Sequence, residues 1–320
     1  MRPQKFFTAL AFAALFASSG VRAAEAPVSS SESVLTLRLN GQLTIDPEGR
    51  VKSYEIRSEL PPGIQGIVER AVTKWTFAPI LMGGKPVTAQ SPMSITLAAT
   101  EADGRYLVRV DNVVFRPNTK EDYEQALDAQ KQAAALGVVI ETAGEPARVT
   151  QPPVISAKRM RPPAYPPEML IGRVEGIVLM VLRLNPDGTV AEAIATQSSL
   201  LNVKGRPEVL DRVRQKLERS ALSAARSWTF NVDAADPALL TPEDLTVRTP
   251  VEYLIRSPGS KDSTLAGIWR QEFRGPNLPV PWLSEQANRR IGVSDLATGE
   301  FFAGASRFRL VDEDVIGSTL

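Results

Sequence analysis

The sequence predicts an α+β fold of two small domains, each an antiparallel sheet with one helix packed on a face. Three observations support this prediction. Each half of the chain contains strands of alternating or continuous apolar residues, a glycine-containing hairpin turn, and one helical apolar stripe that ends at a tryptophan. Because these features occur twice in the same order, they indicate an internal repeat.

The composition limits the classes of function that the chain can have. Its 320 residues include 37 Lys and Arg against 36 Asp and Glu, and this balance argues against a nucleic-acid binder. The chain has no cysteine and no histidine, which excludes disulfides, thiolate nucleophiles, cysteine zinc sites and Ser-His or Cys-His pairs. Carboxylate or Ser/Lys chemistry remains open, and so does a function without catalysis.

Residues 1–23 have the pattern of a cleavable signal peptide. Two basic residues precede an apolar run from Phe6 to Phe16, which is too short to span a bilayer. Val21 and Ala23 occupy the −3 and −1 positions of a signal-peptidase site, so we expect a mature periplasmic protein that begins at Ala24. The alternative is an uncleaved segment that anchors the chain in the inner membrane.

The first predicted domain comprises residues 24–100. Alternating leucines in Leu35–Leu39 indicate a strand, and Gly49 supplies the positive φ that a hairpin turn to Val51–Ile56 requires. Apolar residues in Ile64–Trp75 recur at helical spacing and predict one buried helix face. A last strand follows at Met93–Leu97.

The second predicted domain comprises residues 152–257 and repeats this order with stronger signals. Gly176–Leu184 predicts a strand, and Asp187 and Gly188 predict the turn that follows it. The stripe Leu210–Trp228 predicts a longer helix, and Val251–Ile255 predicts the final strand.

The regions outside these domains give weaker signals. In the connector, residues 101–151, Arg105–Val110 predicts a strand and Lys120–Leu136 an exposed helix that ends at Gly137. No fold is assigned to the C-terminal extension, residues 258–320, although Glu300–Leu310 has the pattern of a strand.

The same tripeptide closes the helix of both domains, as Trp75-Thr76-Phe77 and Trp228-Thr229-Phe230. Because Trp75 and Trp228 end their apolar stripes, we expect both, and Phe230 with them, to pack in the cores. Stacking of a tryptophan on a ligand is the alternative.

The second domain resembles the C-terminal domain of the TonB family, the periplasmic energy transducers. The resemblance depends on the order of five features in this sequence, which are Tyr165-Pro166, Gly176, Asp187-Gly188, Trp228-Thr229-Phe230 and the strand Val251–Ile255. The first domain matches in degenerate form and lacks a Tyr-Pro pair, so the resemblance implies two tandem copies. The chain departs from a full transducer because it has no histidine in its N-terminal apolar segment and no long proline-rich spacer.

The resemblance implies that the edge of the sheet binds a short extended segment of an envelope protein, such as an outer-membrane receptor. Carried over to this sequence, it implies partner contacts at Tyr165, Pro166, Val251 and Tyr253. Pro250 supports an edge position for the last strand, because proline is tolerated at the first residue of a strand. An equally open alternative is that Tyr165-Pro166 only fixes how the chain enters the domain.

Two other classes of function remain as alternatives, namely an enzyme and an envelope accessory or assembly protein. The carboxylate candidates for catalysis are Asp187, Glu121-Asp122 and Asp312-Glu313-Asp314. Asp187 falls in a predicted turn, where aspartate makes local hydrogen bonds, and the spacing of a calcium loop is not met. We therefore expect a non-enzymatic protein and predict no catalytic residue, metal ligand or cofactor.

Overall fold

The computed structural model describes residues 31–60, 63–82, 84–116, 153–234, 236–255, 266–284, 291–296, 302–303, 306 and 308–320. The signal peptide, the helix predicted at 120–136 and the carboxylate pair Glu121-Asp122 lie outside the described residues and remain predictions. Of the helices described, none is long and apolar enough to cross a membrane.

The first unit begins with a long hairpin and has one helix. Its elements are β1 (Glu32–Ile45), β2 (Val51–Ile56), α1 (Ile64–Val72), β3 (Leu81–Met82), β4 (Lys85–Pro86), β5 (Ala89–Ala102) and β6 (Arg105–Phe115). The helix packs Val68 and Val72 into a core that includes Leu37, Leu39 and Trp75. This arrangement agrees with the apolar stripe in the sequence.

The second unit repeats the hairpin and has a longer helix. Its elements are β7 (Val154–Arg159), α2 (Pro167–Ile171), β8 (Glu175–Leu184), β9 (Val190–Leu201), α3 (Pro207–Ala225), β10 (Thr229–Asp233) and β11 (Thr246–Tyr253). Two strands follow in the C-terminal extension, β12 (Arg270–Arg274) and β13 (Phe302–Ala303). On α3, Leu210, Leu217 and Ala221 are buried against the sheet.

The strands of both units join into one sheet rather than two. Within the described ranges the sheet has nine strands in the order β13-β11-β8-β9-β12-β1-β5-β6, and β2 pairs with β1. The joining strand is β12, which pairs antiparallel with β9 on one side and with β1 on the other. The antiparallel α+β class agrees with the prediction, but the expectation of a separate sheet in each domain is corrected, because the C-terminal extension supplies a strand between them.

Both faces of β8 are buried. Val178, Met180 and Leu182 face the core under α3, whereas Ile177 and Leu179 belong to a cluster on the opposite face. Val293 and Leu296 of the C-terminal extension complete that second cluster. The continuous apolar run of β8 is thus explained, since a strand covered on both faces needs no alternation.

Charged side chains of β12 are buried at the junction of the two units. The Glu272 side chain has an exposure of 0%, and its Oε1 accepts hydrogen bonds from Thr36 Oγ1 at 2.5 Å and from Arg270 Nη2 at 3.0 Å. Its Oε2 accepts from Ser199 Oγ at 3.1 Å and from Ser294 Oγ at 2.7 Å. Donors from both units therefore satisfy the buried Glu272 carboxylate. Burial of a carboxylate without such partners would destabilise the fold.

Arg274, at the end of β12, makes ion pairs with the first unit. Its Nη1 lies 2.5 Å from Asp111 Oδ2, and its Nη2 lies 2.6 Å from Glu32 Oε1. Next to it, a Cβ on Gly275 would lie 2.2 Å from Cζ of the buried Arg214 on α3. The junction accordingly joins β12 to α3 on one side and to β1 and β6 on the other.

Candidate partner-binding site

The two hairpin turns share one geometry that requires glycine. Gly49 and Gly188 both have a φ of 82°. A Cβ at Gly49 would lie 2.0 Å from the Phe77 carbonyl oxygen, and one at Gly188 would lie 1.9 Å from that of Phe230. The Phe77 N–H donates to Gly49 O and the Phe230 N–H to Gly188 O, each at 2.8 Å. Each turn is thereby attached to the Trp-Thr-Phe segment of its own unit.

Asp187 lies in the second turn and makes local hydrogen bonds. Its Oδ1 accepts from the Thr189 hydroxyl at 2.6 Å and from the Thr189 N–H at 2.9 Å. These hydrogen bonds, the one from the side chain foremost, lower the pKa of Asp187. The carboxylate is therefore ionised and serves the turn, as the sequence suggests for an aspartate at this position.

The tryptophans lie in the cores rather than at the surface. The Trp228 side chain is 2% exposed, and its Nε1 donates to Arg161 O at 2.8 Å. Trp75 is buried in the first unit in the same position after its helix. Phe230 is also buried, so these rings are enclosed by the protein and are not available for stacking on a ligand.

Tyr165 connects the proline-rich segment to the end of the sheet. Its hydroxyl donates to Val174 O at 2.6 Å, and its ring packs edge-to-face on Tyr253 with the centroids 5.5 Å apart. Burial and the nearby charge of Glu175 raise the pKa of Tyr165. These contacts attach the segment to β11 and agree with the structural alternative, in which Tyr165-Pro166 fixes how the chain enters the domain.

Val251 and Tyr253 lie on β11 with their side chains in the core. The Tyr253 hydroxyl donates to Leu217 O of α3 at 3.0 Å, and burial raises the pKa of Tyr253 to about 12. Val251 packs in the same cluster. Alternate residues of a strand point to the same face, so both side chains face the helix. Only the main chain of these residues is therefore suited to contact a partner at the side of the strand.

Pro166 precedes α2, a helix that sequence reasoning missed. The Pro166 carbonyl accepts from the N–H groups of Met169 and Leu170 at 2.9 and 3.0 Å, which closes the first turn. Met169 is buried, whereas Leu170 is exposed and Ile171 is 84% exposed. The sequence contains one signal for exposed apolar residues here, namely the triplet Met169-Leu170-Ile171 after Pro166-Pro167. A helix of five residues cannot bury all three of these side chains.

β11 is not the outermost strand of the sheet. One side of it pairs with β8 along Thr246–Tyr253. On its outer side, Val247 pairs with Ala303 and Arg248 with Phe302 of β13. The predicted edge is therefore shared with a two-residue strand from the C-terminal extension. In the first unit the corresponding strand is β5, whose residues Met93–Ala102 pair with Arg105–Phe115 of β6.

Of the remaining carboxylate candidates, Asp312 and Asp314 are exposed. Among the described ranges, no group of three or more Asp or Glu side chains is arranged to hold a metal ion. Asp312 accepts a hydrogen bond from the Asp314 N–H at 3.2 Å, within a short turn at the surface. Tyr165 packs on the end of β11, and the helix that follows it, α2, carries the exposed apolar residues Leu170 and Ile171.

These features define a class of protein with an antiparallel sheet and helices that cover one of its faces. No protein-family profile matches the chain, and no solved structure matches it. Over 101 residues the chain is 29% identical to Protein TonB of two strains of Xanthomonas campestris pv. campestris. The aligned part covers 32% of this chain and 38% of those relatives. This similarity supports a TonB-like C-terminal domain in about a third of the chain.

Proposed function

We propose that the chain is a non-enzymatic periplasmic TonB-like protein that binds an extended segment of an envelope protein by strand addition and takes part in outer-membrane transport. The similarity to Protein TonB supports the class, and the signal peptide predicted at residues 1–23 is the reason for proposing a periplasmic location. The bound segment belongs to an outer-membrane receptor. The protein works without a cofactor.

One observation carries the proposal, namely that the outer side of β11 already accepts an added strand. β13 pairs there through Phe302 and Ala303, which come from a distant part of the chain. In strand addition, main-chain hydrogen bonds provide most of the affinity. A partner segment longer than two residues would make more of these bonds than β13 does and would replace it.

The exposed residues of α2 add an apolar contact beside this strand. Tyr165 attaches α2 to the end of β11 through Tyr253, and Ile171 extends into solvent. An isolated exposed isoleucine is ordinary, but here it follows the exposed Leu170, on a helix that Tyr165 connects to the end of β11. We expect an apolar side chain of the partner segment to pack on Leu170 and Ile171.

Two tandem TonB-like copies, the first of them degenerate, explain why binding falls to the second unit. The matching turns at Gly49 and Gly188, each attached to its own Trp-Thr-Phe segment, support the duplication. In the first unit β6 occupies the side of β5 that corresponds to the outer side of β11. The strand addition proposed here, at the outer side of β11, therefore falls to the second copy.

Photo-crosslinking in intact cells tests the partner. The full chain carries a photoreactive amino acid at Ile171, and a matched control carries it at Lys52, an exposed residue of β2 in the first unit. We expect Ile171 to capture an outer-membrane protein that Lys52 does not capture. Capture of an inner-membrane complex would favour an accessory or assembly role, and the same products at both positions would refute the site.

A reversible disulfide tests strand addition itself. The chain has no native cysteine, so Arg248→Cys with Phe302→Cys, which are Cα partners in the sheet, introduces a single pair. Oxidation would attach β13 to β11, and we expect partner capture from Ile171 to fall at least about tenfold and to return on reduction. Equal capture in both states would mean that the partner does not replace β13.

A further inference from the structure

The opposite end of the sheet also holds an added segment of the chain. Gly317–Leu320 lies antiparallel along the outer side of β6, with Thr319 opposite Arg109. The Val110 N–H donates to Ser318 O at 2.9 Å, and the Leu320 N–H donates to Val108 O at 2.9 Å. The side of β6 therefore accepts an extended chain through main-chain hydrogen bonds.

A cavity lies beside this segment and remains only partly filled. It has a volume of about 210 Å³ between α1, β6 and the added segment, and its lining includes Ile64, Ile67, Leu107 and Leu320. An apolar cavity of roughly 150 Å³ is enough to bind benzene. There is thus room for an aromatic side chain where Leu320 now contributes only part of the wall.

The residues around the cavity present apolar surface to solvent. Tyr106 is 59% exposed and Leu107 is 53% exposed, although both line the cavity. The added segment itself is thinly packed, since Thr319 is exposed and Leu320 is only half-buried. Three main-chain hydrogen bonds and little apolar burial hold it in place, which is typical of a contact that opens locally.

We propose that β6 is a second strand-addition site, which Gly317–Leu320 closes and which an extended segment of a partner protein occupies by replacing it. The partner segment carries an uncharged apolar or aromatic residue at the position of Leu320, because the cavity lining there is apolar. Since β6 lies at the other end of the sheet from β11, this site is independent of the function proposed above.

A truncated chain and synthetic peptides test this site. Truncation after Val315 removes the segment and keeps Val315, which is buried in the first core. The probe is a peptide of residues 312–320, and the matched control peptide is methylated on the Leu320 nitrogen, so it keeps the side chain and loses the N–H. We expect the truncated chain to bind the probe and the methylated peptide to bind at least about tenfold more weakly. A probe with Leu320→Phe should bind more tightly than the unmodified probe because it fills more of the cavity.

The full chain supplies the second measurement. Its own segment competes at an effective concentration of about millimolar, so we expect it to bind the probe roughly 10- to 1,000-fold more weakly than the truncated chain does. The pair Arg109→Cys and Thr319→Cys, oxidised to a disulfide, should abolish binding, and reduction should restore it. If the truncated chain does not fold, probe binding by the oxidised and the reduced forms of the full-length Arg109→Cys, Thr319→Cys variant tests the proposal. Binding that is unaffected by the disulfide or by N-methylation, or a folded truncated chain that does not bind, would overturn the proposal.

Discussion

Replacement of Glu272 tests whether β12 holds the two units together. Glu272→Ala removes the carboxylate that accepts four hydrogen bonds and leaves the Arg270 guanidinium at the junction without this ion pair. Breaking a buried ion pair by removing one partner costs about 3–5 kcal/mol of stability. β12 pairs with β9 of the second unit and with β1 of the first. We therefore also expect the two units of Glu272→Ala to unfold less cooperatively.

Urea denaturation followed by tryptophan fluorescence measures this effect, since each unit contains one buried core tryptophan. Glu272→Gln keeps the shape and one acceptor oxygen, so we expect a smaller loss, about 1–3 kcal/mol. Glu55→Ala, at an exposed position on β2, is the control and should change stability by less than about 0.5 kcal/mol. If Glu272→Ala unfolds in a single transition with a loss below about 1 kcal/mol, the junction does not couple the units.

Three further predictions concern the cores, pH and export. Trp228→Ala and Trp75→Ala should each cost about 3–5 kcal/mol in equilibrium denaturation, and a loss below about 1 kcal/mol at both would contradict the core assignment. Burial, foremost, raises the pKa of Asp295 to about 6. Because the pKa is higher in the folded state, protonated Asp295 stabilises the fold. This stabilisation, on the order of 3 kcal/mol, is present below about pH 4 and is lost as the pH rises through 6. Asp295→Asn should remove that part of the pH dependence in denaturation curves from pH 4 to 8, and an unchanged profile would contradict it. N-terminal sequencing of the exported protein should begin at Ala24, whereas an intact Met1 in the membrane fraction would favour the anchored alternative.

The role of the candidate residues in binding stays a prediction. The resemblance assigned Tyr165 and the last strand to one unit, which agrees with the packing of Tyr165 on Tyr253 of β11. It did not show that Val251 and Tyr253 turn their side chains into the core, since the face that a strand buries depends on where α3 packs. Nor did it identify Ile171, because exposure of an apolar residue follows from what the rest of the chain leaves uncovered.

Sequence by itself determined the local structure of this protein. Apolar periodicity gives the helices at Ile64–Val72 and Pro207–Ala225, and the turns at Gly49 and Gly188 need a backbone conformation that only glycine adopts easily. These signals are local, because φ angles and helical spacing depend on neighbouring residues. They can therefore be recognised in the sequence without knowledge of the fold.

Only the tertiary structure decided how the two units join. β12 has charged residues at Arg270, Glu272 and Arg274, a pattern typical of an exposed segment, yet all three are buried. Glu272 is buried with hydroxyl groups from both units, Thr36 and Ser199, as hydrogen-bond donors across the sheet. Such pairing depends on residues more than 70 positions away along the chain, and no local pattern reports it.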